Sequence, residues 1–459
     1  MQFPIQCCWT WLYRNAHCRR IVGLSLLLIG FMSPWGRTED GFELPPIRYS
    51  NSESDDAVSR LKKRIEAGEV LLERDPKYGL LPSLLHALDV PVESQVLVFS
   101  KTSLQIHKIS PSNPRAIYFN DSVYVGYVPG SDTLELSATD VRLGAVFYTL
   151  NSRLEDPNAE EIDRNDPSLG PWKPTIVRDK GQCLSCHATT RTENVPGLLV
   201  RSIYADRAGR PRTGSSSYTT DYRSPWAKRW GGWYVTGTHG SMRHLGNIFA
   251  IDREDPQKVN LDEGANQRGL PPRVPKGLHP LASSDIVALM VLEHQTRVHN
   301  LITRANYEAI QSTAMDEAMN EALGRPREYR TESTERRLEA AANALVDAIT
   351  FVDEPPLPAT VEGTSTFAQT FALRGPTTQQ GRSLRELDLT DRLFRLRLSY
   401  LIYTPEFQKL PGEVMERVRG RLRRELGTPS SGPPSNHWSV EEQTTLRQIV
   451  AETLPGWLE

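Results

Sequence analysis

The stretch Cys183-Leu184-Ser185-Cys186-His187 decides how the rest of the chain is read. Two thiols stand two residues apart and an imidazole follows the second directly. The chain has five cysteines, at positions 7, 8, 18, 183 and 186. The first three precede an apolar run, Ile21 to Met32, which itself follows Arg14, Arg19 and Arg20. A basic stretch followed by about a dozen apolar residues reads as a secretory signal, with an uncleaved anchor over residues 21–35 as the alternative. Residues 1–36 are therefore set apart from the folded protein. Beyond them the two thiols of the quoted stretch have no third cysteine to pair with. That composition suits an oxidising compartment in which a stray thiol would compete with them.

Three chemistries begin with C-x-x-C: a redox dithiol, half of a zinc site, and C-x-x-C-H attachment of a haem. A zinc site wants a second cysteine pair or spaced histidines, and a redox dithiol wants a βαβ setting. Neither pattern accompanies this one. In the third chemistry the thiols of Cys183 and Cys186 join the haem vinyl groups and His187 becomes the proximal iron ligand. On these three residues the chain resembles a mono-haem c-type cytochrome. The resemblance covers the motif and not the whole sequence. It implies one covalent haem c, an exported or periplasmic location, electron transfer, and a redox partner protein.

The sixth iron position has four candidates. Met242 lies some tens of residues past the motif, in a glycine-flanked loop between His239 and His244. His294 lies on a helical stripe of Val287, Met290, Val291, Val298, Leu301 and Ile302. A methionine or histidine there makes an electron carrier. An open position beside Arg, His and Trp would instead suit a peroxidase-like oxidoreductase, with His239 or His244 moving protons and Arg223, Arg229 or Arg243 stabilising charge. A haem-based sensor is a third reading. Arg223 and Arg229 are candidates to pair with haem propionates, and Trp230 to wall the haem from water.

The 459 residues exceed what a minimal cytochrome needs, which predicts two or three domains. The net charge of −2 gives no reason to expect a nucleic-acid partner. We expect an α+β chain in three parts. Residues 37–150 form a mixed region, with helices near 55–72 and 84–88 and a small antiparallel sheet built from 95–99, 116–119, 122–128, 134–136 and 144–150. Tyr118, Tyr124, Tyr127 and Tyr148 are expected as half-buried sheet residues rather than redox relays. Residues 151–282 form the haem region, opening on an acidic loop whose Asp163-Arg164-Asn165-Asp166 lacks the glycine and glutamate of a calcium loop. Residues 283–459 are mainly helical, with helices near 284–310, 333–352, 384–403, 411–426 and 439–454. The last opens on a Ser439-x-x-Glu442 capping box. Met315 and Met319 are expected to pack between helices.

Overall fold

The computed structural model describes residues 41–151, 174–427 and 438–458. The N-terminal apolar run and most of the acidic 152–179 loop lie outside these residues. The class is α+β.

Helix α1 (Ala57–Glu66) starts where Asp56 accepts from the backbone N–H of Val58 and Ser59, and it buries Val58, Leu61 and Ile65. Helix α2 (Leu81–Ala87) follows. Then come β1 (Val96–Val98), β2 (Arg115–Phe119), β3 (Val123–Tyr127), β4 (Thr133–Asp140) and β5 (Gly144–Asn151), an antiparallel meander close to the expected one. Two strands that were not expected complete a seven-stranded sheet. They are β6 (Thr175–Arg178) beside β5 and, after the β7–β8 hairpin (Val200–Ile203, Ser217–Thr220), β9 (Trp233–Tyr234) beside β1. The sheet thus takes strands from both sides of residue 150. A short pair, β10 (Gly237–Thr238) with β11 (Glu362–Gly363), ties the loop before His239 to the C-terminal region.

The two faces of the sheet do different work. Side chains alternate along a strand, so Tyr148 lies on the face opposite Phe147 and Thr149. Tyr148 donates to Asp56 at the start of α1, which covers that face. Phe147, paired with Ser137, shares the other face with Tyr124, whose hydroxyl accepts from Gln295. The four tyrosines are fully buried rather than half-buried, because each strand is covered on both sides.

After the one-turn helix α3 (Leu184–His187), the long helix α4 runs from Ile286 to Leu323, thirteen residues beyond its expected end. It is buried nearly all round over its first two thirds, so no single stripe describes it. Asp285 caps it and also accepts from Thr364, Ser365 and its own first turn. Its far end emerges, leaving Met315 and Met319 exposed instead of packed. Helices α5 (Glu332–Ile349), α6 (Phe367–Ala372), α7 (Pro405–Gln408) and α8 (Gly412–Leu426) pack around it, and α9 (Val440–Thr453) packs on α8. Ser439 caps α9 by accepting from Glu442 N–H.

No α-helix forms over 384–403, where the only helical piece is the 3₁₀ turn Tyr400–Tyr403. Asp388 accepts from the N–H of Thr390 and Asp391, and Leu389 takes the left-handed conformation at φ 62°. That turn bends the chain back so that Leu387 pairs with Phe394, and a helix cannot pass through it.

Candidate haem-attachment site

Cys183 opens the single turn of α3, and the N–H groups of Cys186 and His187 both donate to its carbonyl. Asp179 fixes the approach by accepting from the N–H of Gly181 and of Cys183. Both cysteines are free thiols; Cys183 is half-buried and Cys186 is exposed. Burial, together with Asp179, pushes the Cys183 thiol up to about 12. A reactive dithiol needs the opposite shift, toward a stable thiolate.

His187 is the best-defined member. Its Nδ1 lies 2.9 Å from the carbonyl oxygen of Gly197. A carbonyl can only accept, so Nδ1 carries the proton and Nε2 keeps its lone pair. This is the tautomer that an iron-ligating histidine requires, with its second nitrogen fixed by a backbone carbonyl. Gly197 N–H donates back to the His187 carbonyl at 2.8 Å. The ring packs on Phe147, centroid to centroid 4.8 Å, against the sheet. Burial holds the imidazole below its usual range and so keeps it neutral.

The loop that supplies the Gly197 carbonyl is bolted to α4. Glu193, in a left-handed conformation, pairs with Arg297 and with Arg304, the latter at 2.7 Å. Burial alone would raise its carboxyl, but the two guanidinium groups outweigh this and lower it. Asn300 accepts from Leu198 N–H and donates to Leu198 O, each at 2.7 Å. A Cβ at Gly197 would stand 2.4 Å from Asn300 Oδ1, so glycine is required there. Thr192 closes the loop by donating to the Val195 carbonyl at 2.9 Å.

Charged neighbours surround the motif. Arg115 on β2 and Glu135 on β4, paired at 2.6 Å across β3 on the Phe147 face, both act electrostatically on His187. On the β7 side Arg201 feels Cys186 and Arg191; its own burial and Arg191 lower it. Arg115, Glu135 and Arg201, with Asp179 at Cys183, are charged side chains that couple to the motif.

The other candidates from the sequence gather elsewhere. Arg223 pairs with Asp221 at 2.7 Å. Arg229 is buried: it lies over Trp226 and donates to Glu293 at 3.0 Å, to Tyr222 O and to Ser224 O, so its hydrogen bonds run to protein rather than outward. Trp230 is buried against His244. His244 Nε2 lies 3.2 Å from His239 Nε2, and His239 Nε2 also accepts from Asn266 N–H. Met242 is buried between these two histidines in sequence, and Arg243 pairs with Asp262. His294 Nε2 lies 2.8 Å from Ser399 Oγ, with its ring stacked on Phe351 at 4.2 Å. His299, on the far side of α4, is also buried, between Asp121 O and Glu406.

The residues of the motif fit a covalent haem: two thiols on one helical turn, and a histidine whose tautomer leaves Nε2 available. A zinc centre fits less well, since among the described residues no three His, Cys, Asp or Glu side chains group to hold a metal ion. Sequence reasoning missed Gly197, Asn300, Glu193 and the Arg115–Glu135 pair. The one signal for them is the run of polar residues Gln295, His299, Asn300, Thr303 and Asn306 inside an otherwise apolar helix. Comparison with known proteins finds no matching family model, no matching curated protein and no matching solved structure.

Proposed function

We propose that this chain is an exported mono-haem c-type cytochrome acting in electron transfer. In this reading Cys183 and Cys186 hold the haem and His187 ligates its iron. The observation that carries it is the hydrogen bond from His187 Nδ1 to Gly197 O, which orients a neutral imidazole with Nε2 available. When bound, the haem supplies one-electron chemistry at its iron. The chain's own residues orient the ligand and shield one side of it with Phe147. The exposed Cys186 edge is left to a redox partner protein. The basic and then apolar N-terminal sequence supports an exported or periplasmic location, free or anchored through residues 21–35. Among the described residues no helix is long and apolar enough to cross a membrane.

A second reading, a haem c oxidoreductase with an open sixth position, is favoured by one observation. His239, His244 and His294 each turn Nε2, the nitrogen not used by the His187–Gly197 bond, to a protein partner.

The test is spectroscopic. The full chain is expressed in a host that attaches c-type haem, and a pyridine haemochrome spectrum is taken. The reading expects a spectrum of two thioether bonds, shifted toward one thioether in Cys183→Ala. Absence of covalent haem from the unmodified chain would sink the proposal. Carbon monoxide binding to the reduced protein would replace the carrier by the second reading.

A further inference from the structure

Of the long helix's side chains that hold the His187 loop, Asn300 is the one bonded to the residue next to Gly197. His187 Nδ1 donates to Gly197 O, and Gly197 N–H returns to His187 O. The next residue, Leu198, has both its backbone groups taken by Asn300, at 2.7 Å on each side. Asn300 is 4% exposed, so these bonds are made away from competing water. The fit leaves no slack, because the Asn300 oxygen occupies the space a Gly197 Cβ would need. The peptide joining Gly197 to Leu198 contains the carbonyl that His187 uses. Asn300 therefore fixes the plane and the tilt of that acceptor.

We infer that Asn300 is a positioning residue for His187, setting the strength of the Nδ1–H···O bond and through it the electron density the imidazole gives to iron. The inference rests on the haem reading above. Groups beyond the ligand tune a metal site through the bond they make to the ligand's second nitrogen. A weaker Nδ1–H···O bond makes the imidazole a poorer donor. A poorer donor stabilises the oxidised iron less, so the potential rises.

The control is Asn306, two turns further on the same helix. It donates to Val141 O at 3.2 Å and to Arg142 O at 3.0 Å, bracing the β4–β5 turn. Removing it loosens the same helix–sheet packing without touching the His187 loop.

The experiment measures the midpoint potential of the full haem-loaded chain, with Asn300→Ala and Asn306→Ala side by side and haem content checked by pyridine haemochrome. We expect Asn300→Ala to shift the oxidised-to-reduced equilibrium roughly tenfold, about 59 mV upward for one electron, and Asn306→Ala to leave it in place. An unchanged potential in haem-loaded Asn300→Ala, or an equal shift in both variants, would overturn the inference. If Asn300→Ala does not fold, Asn300→Leu carries the test. It fills a similar volume and makes neither bond to Leu198, so a rise is again expected and no change again overturns it. Absence of covalent haem from the unmodified chain is a different failure, that of the haem reading itself.

Discussion

His187 and Gly197 hold each other twice: the imidazole Nδ1 lies 2.9 Å from the glycine carbonyl, and the glycine N–H lies 2.8 Å from the histidine carbonyl. The nine residues between them form a closed loop, and Nδ1 is the imidazole nitrogen spent in closing it. The sheet and the long helix grip that loop from two sides. Ala145 N–H donates to Pro196 O at 3.1 Å from the sheet, and Asn300 grips Leu198 from the helix.

The first prediction follows from that grip. Gly197→Ala drives a methyl to 2.4 Å from Asn300 Oδ1 and 3.0 Å from Thr192 Cβ. We expect a loss of about 1–3 kcal/mol, the usual cost of overpacking, read as a lower urea midpoint. Wild-type stability in this variant would show that the loop has room the structure does not give it.

The second concerns the buried pair of Arg229 and Glu293, 2% and 0% exposed and 3.0 Å apart. Arg229→Met leaves a carboxylate in the core and should cost about 3–5 kcal/mol, whereas Arg229→Met with Glu293→Leu should recover most of it. Urea unfolding of both variants decides. A double variant as unstable as the single one would mean that packing over Trp226, not charge, is what Arg229 provides.

The third is a pH dependence. His279 is buried beside Tyr127 with no hydrogen-bond partner on either ring nitrogen among the described residues, and burial lowers it to about 4. Its folded value lies below its unfolded one, so the folded chain keeps it neutral while the unfolded chain takes up a proton. Its contribution is therefore intact above pH ~6.5 and lost progressively as the pH falls toward about 4. His279→Leu should flatten the acid limb of stability against pH by about one proton over that window, with neutral or improved stability at pH 7. An unchanged acid limb would place the titration elsewhere.

Much of the fold was legible in the sequence, and the exceptions have physical causes. The meander from 96 to 151 shows a strand period of two and turn residues, and both survive in the structure. Strands β6 and β9 are short and gain their identity from neighbours far along the chain, which no local pattern reports. The 384–403 segment carries helix-forming Leu, Arg and Glu, yet an Asp388 turn outweighs them. At the site, Cys183, Cys186 and His187 stand out in the sequence because their C-x-x-C-H spacing is the one the proposed haem attachment needs. Asn300 lies more than a hundred residues from His187 and reaches it through backbone bonds, which leave no motif. Arg229 was read toward a ligand because it neighbours three tryptophans; its true partner, Glu293, is sixty-four residues away.

The measurement that bears most directly on the central claim is the intact mass of the purified chain after expression with c-type haem maturation. Cys183→Ala/Cys186→Ala is prepared alongside it and shown by circular dichroism to be folded. The account predicts that the unmodified chain carries the mass of one haem through denaturation and the double variant carries none. An unmodified, folded chain with two free thiols and no added mass would contradict it.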